Sequence, residues 1–211
     1  MSGIVRLEWE LDSKGYDLIE RQDQPGPPHM GILGGEQGGT YLTPRGGKIK
    51  RYVLEGLDPQ VYVQVANTPC TPEGVQTLVN RWGLLTRMRE PELSNIDSNI
   101  EDLRAGVELA NEHRWTDLGD RVPWEYVGQL KVRFLSETSP PRVVLEPPGL
   151  ISFCWVQLMQ IVAGNTEIRR CENCGTFMPA EVAPKRGRTR RHCSANCRVA
   201  AHRKKTKGKE K

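Results

Sequence analysis

Apolar and polar positions alternate strictly over residues 4–11. Val5, Leu7, Trp9 and Leu11 fall on one side of an extended chain, and Arg6, Glu8 and Glu10 on the other. A period of two predicts a half-buried strand. Asp12-Ser-Lys-Gly15 follows as a turn. Residues 48–54 and 60–66 each suit a strand, the second through its Val and Tyr content. Ahead of both, residues 22–47 are rich in Pro and Gly, which predicts a long flexible loop.

The period then changes to that of a helix. Thr71 can cap, Pro72 takes the first helical position and Glu73 complements the macrodipole. Val75, Leu78, Val79 and Trp82 stand at i, i+3, i+4 and i+7, and Gly83 closes the segment. A second helix is expected from Ser94 or Asp97 to His113, with Ile96, Ile100, Leu103, Val107 and Ala110 inward. A third is expected over 124–135 through Trp124, Val127, Leu130 and Phe134, before a short extended Val143-Val-Leu145. Residues 150–163 are apolar on every side, which predicts a helix at the centre of the core. Trp9, Trp82, Trp115 and Trp124 are expected in that core as well, together with Cys70 and Cys154.

At Arg169-Arg170 the composition shifts. Twelve Lys/Arg and one acid lie between Lys185 and Lys211, a net +11 on a chain whose total charge is +4. The preceding 184 residues therefore carry a net −7. The expected organisation is α+β: a mixed strand and helix domain over 1–168 with regulatory or oligomerising character, a small zinc finger of treble-clef-like or ribbon type over 169–205, and a disordered basic tail over 206–211. A basic segment on an acidic body points to a polyanionic partner. The first ten residues contain no signal-peptide core, and the apolar run near 150–163 is too short and too interrupted for a membrane span, so a cytoplasmic location without a membrane is expected.

Cys171-Glu-Asn-Cys174 and Cys193-Ser-Ala-Asn-Cys197 carry the chemistry. A tight Cys-x-x-Cys turn, reversed by Gly175, places two thiolates on one metal, and one helical turn brings Cys193 and Cys197 together. Only Phe177, Met178, Val182 and Val199 are large apolar residues after Cys171, so Zn2+ has to supply the core of the module. His192 or His202 could replace one thiolate. A helix from Ser194 to about Lys205 would turn Cys197 and Ala200 inward. Arg198, His202, Arg203, Lys204 and Lys205 would then stand outward, with Lys185, Arg186, Arg188, Arg190 and Arg191 supplying further phosphate contacts. Few aromatics accompany these cations, which favours duplex DNA over single-stranded RNA.

The stretch Arg-Arg-Cys-Glu-Asn-Cys-Gly-Thr-Phe-Met through Arg-Arg-His-Cys-Ser-Ala-Asn-Cys-Arg-Val-Ala-Ala-His-Arg-Lys-Lys resembles the C-terminal finger of bacterial proteins with a CGNR-type or sister zinc finger. Asn67-Thr-Pro, Thr71-Pro-Glu-Gly74 and Asn80-Arg-Trp-Gly-Leu-Leu85 are similar to a segment of their N-terminal, ABATE-like domain. Cys197-Arg-Val-Ala200 stands where Cys-Gly-Asn-Arg would be, and the last cysteine pair has a three-residue spacer. The resemblance implies zinc, DNA binding and transcription regulation. A zinc-stabilised protein-interaction module is the alternative expectation, and a homo-oligomer is compatible with both. No Gly-x-x-x-x-Gly-Lys-Ser/Thr loop and no nucleophile–base arrangement can be picked out, so an enzyme is not expected.

Overall fold

The computed structural model describes residues 4–21, 39–55, 60–86, 91–135, 142–178 and 190–207. In chain order they form β1 (Ile4–Asp12), β2 (Tyr16–Arg21), β3 (Gly39–Pro44), β4 (Ile49–Glu55), α1 (Val61–Ala66), α2 (Pro72–Trp82), α3 (Leu93–Asn111), α4 (Trp115–Arg121), α5 (Trp124–Val127), β5 (Lys131–Leu135), β6 (Arg142–Glu146), α6 (Leu150–Ala163), β7 (Arg169–Arg170), β8 (Phe177–Met178) and α7 (Ala195–Lys207). The protein is mixed α+β with small sheets.

The main sheet has the order β4-β1-β6-β5, with β1 antiparallel to β4 and parallel to β6. Val5, Leu7 and Trp9 of β1 are buried as their alternation requires. Their neighbours pair by charge on the opposite side, Arg51 with Glu10 at 2.9 Å and Arg133 with Glu146 at 3.1 Å. A hairpin of β2 and β3 stands beside this sheet. Helix α6 is buried along most of its length, including Phe153, Trp155, Leu158 and Ile161, and α3 packs on it. Gly106 lets α3 approach, since a Cβ there would lie 2.6 Å from the Trp155 ring. The predicted ends of α2 hold: the Thr71 hydroxyl accepts from Gly74 N at 3.2 Å, and Gly83 caps with φ 81°.

Four expectations need correction. Residues 61–66 are helical rather than a strand. Val61, Tyr62, Val63, Val65 and Ala66 are all buried, and Oε1 of the buried Gln157 accepts from Val61 N (3.0 Å) and Tyr62 N (3.4 Å), satisfying the first amides of α1. The helix expected over 124–135 stops at Val127. Residues 131–135 instead form edge strand β5, registered Lys131 with Glu146 and Leu135 with Arg142. The loop expected over 22–47 contains β3, whose pairing with β2 satisfies its backbone, while residues 22–38 lie outside the described set. Trp115 and Trp124, placed in the core by the sequence pattern, are 47% and 58% exposed, because both sit at the starts of short helices on the surface. Four further elements, β2, α4 and the short strands β7 and β8, had no predicted counterpart. Among the described residues, no helix is long and apolar enough to cross a membrane.

Candidate metal centre

The cysteines before and after the 179–189 segment, which is outside the described residues, come together in space. β7 delivers Cys171, and the chain then reverses: Gly175 N donates to Cys171 O (2.9 Å) and Cys171 N to Thr176 O (2.8 Å). Gly175 takes φ 74°, the left-handed region that favours glycine. The second arm is tied in by Glu172 N, which donates to Arg191 O at 3.0 Å. Ser194 caps α7, its hydroxyl accepting from Cys197 N at 3.2 Å.

The sulfurs of Cys171, Cys174, Cys193 and Cys197 all lie within 4.8 Å of one another, and none is in a disulfide. Cys193 Sγ is 3.6 Å from Cys174 Sγ and 3.3 Å from Cys197 Sγ. Four thiolates at about 2.3 Å from a tetrahedral zinc would stand about 3.8 Å apart, so the cluster has the right size with little adjustment. It could hold a metal ion. His192 and His202 are not part of it.

The surroundings make the thiols unequal. Burial pushes Cys171 up, but backbone amides of Cys193, Cys174 and Asn173 directed at its sulfur outweigh this and hold it at about 5. Cys193, as donor to Cys197, is raised to about 11, and Cys197 is correspondingly lowered. A cluster in which some sulfurs are stabilised as thiolates and others donate to them is a polarised donor set, and a soft dication would replace the shared protons.

The module is fastened to the body through β8. Phe177 and Met178 are buried, and Phe177 joins the main hydrophobic core. The Asn67 side chain accepts from Phe177 N (2.9 Å) and donates to Phe177 O (2.8 Å), so one amide serves the free edge of β8 as a neighbouring strand would. Arg170 lies 4.2 Å over the Phe177 ring, donates to Gly175 O and pairs with Glu108 of α3.

The residues expected to touch nucleic acid divide into three groups. Lys185, Arg186 and Arg188 lie outside the described residues. Arg190 donates to the carbonyls of His192 and Cys193, and Arg191 pairs with Glu172 at 3.6 Å, so both also shape the module. Arg198, His202, Arg203, Lys204 and Lys205 are exposed along α7. Cys154 is fully buried with its thiol raised by burial, whereas Cys70 is half-buried, its sulfur 3.6 Å from Arg104. The residue pattern marks Arg170 only as one of the cations flanking Cys171, and Asn67 is touched only by the resemblance; nothing local marks a polar side chain as the partner of a strand 110 positions away.

Compared with known proteins, the chain matches no family model and no curated protein sequence.

Proposed function

We propose that the chain is a zinc-dependent DNA-binding protein, a transcriptional regulator that grips duplex DNA through a treble-clef-like finger at its C-terminal end. One observation carries the reading: four thiols of zinc-site dimensions sit at the foot of an exposed helix with no acidic residue from Ala195 to Lys207. That helix has no apolar stripe to bury, so packing alone would not hold it. The metal supplies the anchor, and the cations supply the contact with phosphates. The similarity of 169–205 to CGNR-type fingers supports the same conclusion.

Two measurements on the purified full chain test it. Metal analysis is expected to give one zinc per chain. Duplex binding measured between 50 and 200 mM salt is expected to fall with a log–log slope of about −4.5 to −6, as for five to seven neutralised phosphates. A zinc-loaded protein that ignores duplex DNA even at low salt ends the proposal.

A further inference from the structure

Resting on that reading, we infer that α7 lies in the major groove of B-form DNA and reads base edges through the line Ala195, Val199 and His202, with a thymine methyl as the partner of Val199. The helix makes at most marginal contact with any other helix or strand among the described residues. Its 13 residues give a rod about 20 Å long, held by Cys197 near one end. Cys197, Ala200 and Ala201, which are only partly exposed, mark the face turned toward the module.

Opposite them, at i, i+4 and i+7, stand Ala195, Val199 and His202, all exposed. At 100° per residue, Arg198 and Lys205 fall on one margin of this line and Asn196 and Arg203 on the other. A helix in a groove points its central line at the base edges and its two margins at the two phosphate strands. Cations on both margins and small or hydrogen-bonding side chains along the centre match that arrangement. A helix that merely clings to a backbone would gain more from cations along the centre as well.

Val199 fits the first arrangement by its place between the margins. It is 46% exposed, midway along the outward line, where an apolar side chain gains nothing from water. A lone exposed valine means little by itself. Between two cationic margins, its methyls are the groups that reach a thymine C5-methyl on the groove floor, while the Ala195 side chain is short enough to let the helix approach. His202 can donate to or accept from a purine edge. A-form RNA presents a major groove too narrow for this approach, so this arrangement calls for DNA.

The test uses the full zinc-loaded chain and a library of duplexes with a randomised core. Selection is expected to return a site with a fixed thymine. Val199→Ser should relax the preference at that base pair by about tenfold while changing affinity for a scrambled duplex less than about twofold. Val199→Thr, which keeps one methyl, should largely retain the preference. Lys205→Gln should weaken selected and scrambled duplexes alike and reduce the salt slope by about 0.9. Zinc content and helicity of each variant confirm that α7 is intact. Binding without any selected sequence, an unchanged preference in Val199→Ser, or tighter binding to duplex RNA than to DNA overturns the inference; the first two leave the DNA-binding reading standing. Failure to bind every duplex at low salt removes that reading itself.

Discussion

Replacing Asn67 by Ala tests how the metal module is joined to the body. The side chain satisfies both backbone groups of Phe177, a residue 4% exposed, at 2.8 and 2.9 Å. Removing it strands one donor and one acceptor. A buried group left without a partner costs about 1–3 kcal/mol, and partial access of water at Asn67 favours the lower half, which gives about 2–4 kcal/mol in total. The substitution adds no backbone strain, since Asn67 has φ −86° and ψ −5°, which Ala adopts freely. Glu108→Gln is the control. It breaks the ion pair with Arg170, whose partners are about 40% exposed, and should cost less than about 1 kcal/mol. Asn67→Asp should be no better than Ala, because a carboxylate would face the Phe177 carbonyl. Urea unfolding followed by tryptophan fluorescence measures all three. The reasoning is refuted if Asn67→Ala loses less than about 0.5 kcal/mol, or no more than Glu108→Gln.

Gly106→Ala should lower the melting temperature, although Ala is normally the better helix residue by about 1 kcal/mol. Its Cβ would stand 2.6 and 2.7 Å from two atoms of the fully buried Trp155 ring, and overpacking costs about 1–3 kcal/mol. A higher melting temperature, or no rescue by Trp155→Phe in the same background, contradicts this. If zinc occupies the cluster as proposed, protons compete with it for the sulfurs. A group whose native pKa is depressed contributes stability that is present above its ordinary value and lost as the pH falls through the native one. Cys171, held at about 5, therefore keeps its thiolate to lower pH than Cys193, raised to about 11, does. Zinc release to a chromogenic chelator should rise steadily from pH 7 toward 5, with loss of the circular-dichroism signal of the 13 residues of α7. Full retention at pH 4 would show that thiolates are not the ligands.

Where a local rule and the tertiary structure agree, the elements were legible in the sequence. Alternation placed β1, a cap and a proline placed the start of α2, and spacing placed the inward line of α3 from Ile96 to Ala110. The span of α6 was legible because every face of it is apolar. The four cysteines could be grouped by spacing alone, since thiol pairs are rare and their geometry is restrictive. Where distant residues decide, the pattern misled. Val61-Tyr-Val-Gln-Val-Ala66 has strand propensity, but Gln157, far along the chain, satisfies its first amides and burial covers its sides. β5 follows a helical start at Trp124, and only its register with β6 makes it a strand. β3 alternates weakly between glycine pairs, and its partner β2 was equally faint.

The same division explains why the metal module sits where it does. A small segment with Phe177 and Met178 as its main apolar side chains cannot bury enough surface to fold and also present a polar helix. Phe177 is given to the body, through the core and the Asn67 amide, and among the described residues α7 has no apolar stripe of its own to bury. Its position is set at its N-terminal end, by Cys193 and Cys197 together with the Glu172–Arg191 backbone bond. The two attachments then have separate roles: β8 fixes the module to the protein, and the sulfurs fix the helix to the module. Loss of the metal should therefore free α7 while Phe177 stays docked, whereas loss of Asn67 should loosen the module with its sulfurs still able to share an ion. Chelation and Asn67→Ala would then give different signatures. The first removes helicity and leaves the urea midpoint of the body nearly unchanged; the second lowers that midpoint while helicity at low denaturant persists.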